Sequence, residues 1–281
     1  MLQVLAHFGL DGSDTGLERV SAGYINETYQ VMLGRKPAYI LQKINRNVFP
    51  GAVQVMENLL AMLPFLQGKG YAALKLEPKV DGTPWLETDE GEVWRLFHYI
   101  PNSGTLEHTE NPGISRESGR ILGRFHQLVS GAQVERLHTP LPRFHDLGFR
   151  TRQLEEGISS GIPERVKEAE SELRLSRELI AFCQQIPIPE FPIRICHNDT
   201  KLSNILFDLG TERALCLIDL DTLMPGCLLY DFGDAARTLL DPLPESSPDR
   251  DRIRINLSMV DAFVRGWRER GLSLESTEVR W

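Results

Sequence analysis

Four polar side chains stand close together in the run H-N-D-T-K-L-S-N: His197, Asp199, Lys201 and Asn204. Asp219 and Asp221 follow in I-D-L-D-T. An acid five residues ahead of an amide, with another acid fifteen residues beyond that amide, can supply a base and oxygen ligands for a metal. Phosphoryl transfer uses such a set: an Asp takes the proton of the attacking hydroxyl, an Asn holds metal, and a second Asp bridges metal to the phosphates. Magnesium prefers hard oxygen donors and keeps several waters, so one Asn and one or two Asp are enough. An H-x-D triplet alone is a weak signal, but H-x-D-x-x-x-x-N followed by I-D is a specific one.

These residues need rigid elements to hold them. Ile193–Cys196, Ile205–Phe207 and Ala214–Ile218 are short apolar runs broken by polar turns, the pattern of strands. The first loop then carries His197, Asp199, Lys201 and Asn204, and the last strand delivers Asp219 and Asp221 at its end. Upstream, Leu17–Val20 and Thr28–Met32 predict paired strands around S-A-G-Y-I-N-E. Ala38–Gln42, Leu74–Val80 and Glu92–Ile100 predict further strands, the last two around a D-G-T turn. A helix is expected from near Pro50 to before Gly68, with Val53, Met56, Leu60 and Leu63 on one face. The second half is mostly helical. Ile114, Ile121, Leu122, Phe125, Leu128 and Val129 form one stripe, with His126 beside it as a packing or surface residue. Pro163 suits a helix start, and Val166, Ala169, Leu173 and Ile180 continue one face. Ile253, Leu257, Val260, Val264 and Trp267 form a further stripe ending at Gly271. Leu243–Asp251 reads as a loop, and S-L-E-S-T-E-V-R-W as the start of another helix.

A chain of 281 residues with 41% hydrophobic side chains can bury a core as one large domain or two lobes. Its net charge of −8 argues against nucleic acid as the main partner, though not against a nucleotide held in a locally positive site. The four cysteines lack C-x-x-C spacing and read as buried free thiols. No apolar leader and no membrane-length apolar run is visible, so a soluble, cytoplasmic protein is expected.

The runs H-N-D-T-K-L-S-N (197–204), I-D-L-D-T-L-M-P-G (218–226) and Y-D-F-G-D-A-A-R (230–237) resemble those of the aminoglycoside phosphotransferase and choline kinase group. Within it they are most similar to N-acetylhexosamine 1-kinases, as are G-Y-I-N-E-T-Y (23–29), Y-I-L-Q-K-I-N-R-N-V-F (39–49) and F-H-D (144–146). The resemblance spans about residues 20 to 270 and implies an α+β, protein-kinase-like, two-lobed fold. A small, mainly antiparallel β lobe would occupy 1–100, and a larger helical lobe 101–281. Related sugar kinases continue for several helices more, so part of the acceptor pocket is expected beyond residue 281.

The resemblance implies ATP and Mg²⁺ as cofactors and a small hydroxylated acceptor, an amino sugar in the narrower match. Asp199 would be the base beside the acceptor, Asn204 and Asp219 the metal ligands, and Asp221 a second metal or substrate contact. His197 would shape the loop, Lys201 would meet the γ-phosphate, and Asp231 would brace the catalytic loop. Ser21, Gly23 and Asn26, an ordinary hairpin turn when read alone, would cover the phosphates. The backbone at His98–Ile100 would bind adenine. The strand position that carries a phosphate-contacting Lys in many kinases is Gln42 here, with Lys43 on the opposite face. Glu57 lies in the helix where a kinase fold has the acid that pairs with that Lys. Other readings are a nucleotide-binding pseudokinase, a metal-dependent hydrolase, and a kinase of choline-like amino alcohols or aminoglycosides. An acidic pocket around Asp221 and Asp234 would suit cationic acceptors.

Overall fold

A computed structural model of the chain describes residues 1–20, 25–187, 190–240, 243, 254–269 and 274–279. Residues 1–140 with 193–274 form one compact unit, and 141–192 with 275–281 a second. Five strands lie in the first 100 residues: β1 (Thr15–Arg19), β2 (Glu27–Leu33), β3 (Lys36–Lys43), β4 (Leu86–Glu87) and β5 (Val93–His98). They make one antiparallel sheet in the order β1-β2-β3-β5-β4. The helix α1 (Leu2–Ala6) sets Leu5 against a cluster with Val31, Leu41, Leu86, Trp94 and Leu96. Alternation along β2 and β3 turns Val31 and Leu41 into this cluster. The predicted strand at Leu74–Val80 is not a regular one. It meets β5 through a single bridge, Leu76 to Phe97, with the Glu77 and His98 amides bonded across that edge. The D-G-T turn follows, with Asp81 Oδ1 accepting from the Thr83 amide and hydroxyl.

Helix α2 (Ala52–Met62) buries Val55, Met56, Leu59 and Met62. That face is shifted from the predicted one, because Asn58 is also buried, its amide nitrogen donating to the His138 and Leu223 carbonyls. Beyond β6 (Ser103–Gly104), Asn111 caps α3 (Pro112–Val129), whose stripe is buried as predicted except at Leu128. A three-stranded sheet, β6-β8-β9, and a pair, β10-β7, follow from β7 (Ile193–Cys196), β8 (Ile205–Asp208), β9 (Ala214–Leu217) and β10 (Met224–Cys227). The predicted apolar runs are therefore strands, and the chemistry-bearing residues lie on the turns between them.

In the second unit, Asp146 caps α4 (Leu147–Ser160) through the Phe149 amide at 2.7 Å, which explains the F-H-D run locally. Pro163 opens α5 (Pro163–Glu168), and Ala169 separates it from α6 (Glu170–Gln184). Their described residues are exposed or half-buried, in keeping with a solvated charged face. Ser276–Val279 form a short helix whose Glu278 accepts the Glu275 amide at 2.8 Å, a first-turn acid in the capping place. Cys196, Cys216 and Cys227 are buried, and burial pushes the Cys216 thiol up to about 12. Cys183 is exposed, unlike the prediction.

In the first unit, α7 (Leu228–Leu240) and α8 (Leu257–Arg268) complete the packing. The face of α8 that is buried carries Met259, Phe263, Gly266 and Trp267, while Leu257 is exposed and Val260 and Val264 are half-buried. Ile253, Gly271 and most of Leu243–Asp251 lie outside the described residues. The shift has a steric cause: α8 crosses α3 glycine to backbone. A Cβ on Gly266 would lie 1.9 Å from the Arg116 carbonyl oxygen, and one on Gly119 would lie 2.0 Å from that of Phe263. Apolar bulk here would separate the helices.

Overpacking of this kind costs about 1–3 kcal/mol or more. Gly266→Ala is expected to lower the urea midpoint accordingly. Gly157→Ala, on α4 where a Cβ meets nothing within 4 Å, should raise stability by about 0.4–1 kcal/mol. Equal midpoints for the two variants would contradict a close α3–α8 crossing.

Candidate active site

The catalytic-type loop starts where β7 ends. His197 is fully buried, and its Nε2 meets the Ile218 carbonyl at 2.8 Å. Asn198 adopts the left-handed conformation, φ 66°, which Asn tolerates better than most residues. The His197 and Asn198 backbone amides both donate to one carboxylate, Asp231 on α7, at 2.9 and 2.6 Å. His126 reaches the same carboxylate through Nε2 at 2.8 Å, and Thr200 Oγ1 donates to the Asp231 carbonyl. Burial by itself would raise the Asp231 carboxyl. The His126 bond, the His126 and His197 charges and the His197 amide outweigh it and hold the group below the usual carboxylate range. Asp231 thus has the bracing place predicted for it. His126, predicted as a packing or surface residue, is its buried partner.

After the loop, a 3-10 turn at Leu202–Asn204 buries Leu202 and folds Asn204 back. The Asn204 Nδ2 donates to the Asp199 carbonyl at 2.8 Å and to Asp199 Oδ2 at 2.9 Å. Lys201 Nζ lies 3.3 Å from the same Oδ2. Asp219 follows β9 in the left-handed conformation, φ 58°, an uncommon state for an acid and a frequent one at functional sites. Burial and the neighbouring Asp221 raise its carboxyl to about 6, while Arg95 opposes the shift.

Asn204, Asp219 and Lys201 line a cavity of about 420 Å³. Its lining also includes Asn26, Gln42, Arg95 and the stretch His98–Ile100. With its nitrogen bonded to Asp199, Asn204 has its amide oxygen for a cation. Asn204 and Asp219 are hard oxygen donors lining the same cavity, which fits magnesium. Among the described residues no group of three or more His, Cys, Asp or Glu forms a metal cage. The donor set therefore suits a cation that completes its shell with water and phosphate oxygens.

The structure revises several sequence expectations. Asp221, predicted as a metal or substrate contact, is corrected: it is 2% exposed and outside the cavity lining. Arg95 Nη1 stands 2.6 Å from its Oδ1, and Asn26 Nδ2 donates to its Oδ2 at 2.7 Å. A carboxylate engaged this way is a buried anchor. Asn26 lines the cavity, but its side chain bridges Asp221 and the Asn45 amide. Ser21 and Gly23 lie outside the described residues. The His98 amide donates to the Lys75 carbonyl, the His98 ring meets Glu77, and the Ile100 carbonyl accepts from Ser103. Lys43 turns away from the cavity to Glu27 and Glu92. Glu57 is half exposed beside His138. The residue that sequence reasoning missed is Arg95. Its signal was a lone cation inside the apolar run V-W-R-L-F, where an unpaired charge is not tolerated.

The family pattern described as APH, phosphotransferase enzyme family, matches residues 16–270. The chain belongs to this family. Similar solved structures include a microcompartment-associated aminopropanol kinase at 20% identity and TM-score 0.66, covering 99% of this chain and 82% of that one. The amicoumacin kinase hAmiN, solved with AMP-PNP, Ca²⁺ and its antibiotic, matches at 16% identity and TM-score 0.63, over 97% of this chain and 78% of that one. Spectinomycin phosphotransferase APH(9)-Ia, solved with ADP and spectinomycin, matches at 12% identity and TM-score 0.61, over 98% and 80%. The α+β fold is thus kinase-like, as the resemblance implied.

The Asp231 brace makes a prediction about acid. Because the native pKa is lowered, its stabilisation is complete above the unfolded value, about 4. It is lost as pH falls through the lower native value. Wild-type stability should drop on acidification through that range. Asp231→Asn should cost about 1–3 kcal/mol near neutral pH, the usual result of leaving buried hydrogen-bonding groups unmatched, and flatten the acid dependence. Denaturant titrations from neutral to acid pH measure both; an Asn variant as stable as wild type would remove the brace.

Proposed function

We propose that this phosphotransferase moves the γ-phosphate of ATP to a hydroxyl of a small acceptor, with Mg²⁺, and that the acceptor is the anomeric hydroxyl of an N-acetylhexosamine. The observation that carries the reading is that Asn204, whose amide nitrogen donates to Asp199, lines the 420 Å³ cavity together with Asp219. Asp199 accepts or orients the acceptor's proton. The acceptor oxygen then bonds to the γ-phosphorus, the bond to the β-phosphate's bridging oxygen breaks, and ADP leaves. Asn204 and Asp219 hold the cation, which when bound neutralises charge on the phosphates. Lys201, next to Asp199, meets the γ-phosphate. His98–Ile100 face the adenine, and Ser21, Gly23 and Asn26 belong to the turn over the phosphates. Residues 1–100 act as the nucleotide lobe and the remainder as the catalytic lobe.

The narrower acceptor reading rests on the runs at 197–204, 218–226 and 230–237 and on the ion pairs made by Asp221 and Asp234. Asp221 is neutralised by Arg95, and Asp234 is paired with Arg237 at 2.8 Å. A neutral acceptor fits that better than an amino alcohol or an aminoglycoside.

Asp219→Ala should abolish transfer in a folded protein. Asp199→Asn should lower kcat by about 10²–10⁴ with ATP affinity little changed. A loss confined to KM would reassign Asp199 to binding alone. A coupled assay of ADP release over free hexosamines, neutral sugars and amino alcohols tests the acceptor. N-acetylglucosamine or N-acetylgalactosamine should give the highest kcat/KM and a sugar 1-phosphate. Preference for an amino alcohol would replace the sugar reading and keep the kinase.

A further inference from the structure

We propose that Arg95 is the cation facing the nucleotide's phosphates, in the place a kinase-like fold ordinarily gives to a lysine of its third strand. The inference rests on the nucleotide reading above. In protein kinases that lysine contacts the phosphates and pairs with an acid on the following helix. Neither member is in its place here. Gln42 occupies the cavity-facing position of β3, and Lys43 lies on the far face between Glu27 and Glu92. Glu57 on α2 is half exposed and bonded to His138.

A different pair stands in the gap. Residues 42 and 95 are directly opposite in the β3–β5 register, so their side chains share a face. Arg95 is 1% exposed yet lines the cavity. A buried guanidinium needs its charge and its donors matched. Gln42 Oε1 accepts from Nε at 3.0 Å and Nη2 at 2.9 Å, which fixes the plane of the fork. Asp221 takes Nη1 at 2.6 Å, Met56 of α2 brings its sulfur to 3.9 Å of Nη1, and the Phe97 ring lies 5.1 Å from Cζ. The pairing acid has moved from the helix to the turn that carries Asp219. The glutamine that replaces the lysine aims the arginine that replaces its charge. Through Asp221, the same ion pair joins the sheet to the turn that carries Asp219.

The test compares affinities for ADP with Mg²⁺ and for adenosine, by calorimetry, in folded variants. Arg95→Gln by itself leaves Asp221 buried and unpaired, so Arg95→Gln/Asp221→Asn, which removes both charges, is made as well. Either variant, if folded, should bind ADP at least tenfold more weakly with adenosine affinity unchanged. Gln42→Lys/Arg95→Gln, which returns a cation to the third strand beside Asp221, should recover most of the ADP affinity and of kcat/KM for ATP. Unchanged ADP affinity in the folded charge-free variant overturns the proposal. So does an equal loss for adenosine and ADP, which would mean a collapsed pocket, or no recovery with the lysine. Wild-type protein that binds neither adenosine nor ADP would instead overturn the nucleotide reading on which the proposal stands.

Discussion

A single buried carboxylate, that of Asp231, organises the catalytic-type loop. Left unmatched, an ionised group at that depth would be costly, and the fold matches it with two loop amides and His126. Just past the two amides the chain turns left-handed at Asn198, φ 66°, before it reaches Asp199. Thr222 adds a bond from its hydroxyl to the His197 carbonyl, and the Asn198 side-chain Nδ2 donates to the Thr222 carbonyl at 3.0 Å. The direction in which Asp199 leaves the loop follows from where Asp231 sits on α7.

The second constraint is the ion pair of Arg95 and Asp221. It reaches the same turn, so residues 219–222 are tied to two buried charges of opposite sign, Asp231 and Arg95. One reaches it through His197 and Thr222 and the other directly through Asp221. Such networks are rigid when every member is satisfied. That rigidity suits a site whose work is to position phosphates and a hydroxyl, since phosphoryl transfer depends mostly on positioning and electrostatics.

The candidate site was legible in the sequence because it is local. His197 to Asn204 lie within one turn, and the apolar runs around them have the length and β-branching of strands. The antiparallel sheet from β1 to β3 was legible for the same reason: short alternating runs close together in sequence. Faces of helices were less so. Periodicity finds a stripe but not which neighbour comes closest, and at α8 glycine-to-backbone contact with α3 moved the buried face to Met259, Phe263 and Gly266. Leu74–Val80 had strand composition but too few partners to form a ladder.

By itself the sequence determined the chemistry on offer: an acid, an amide and a second acid at the spacing of a phosphotransferase, on strand-ended loops. Tertiary structure decided which charges remain available for that chemistry. Asp221 is two residues from Asp219 and equally acidic, yet Arg95, 126 positions upstream of it, takes it out of the site. Gln42 has no charge to announce itself, and it matters through the arginine opposite it. Both facts arise from side chains distant along the chain meeting in a low-dielectric interior. There, pairing decides whether a charge is a ligand or an anchor, and residue type and spacing carry no record of who pairs with whom.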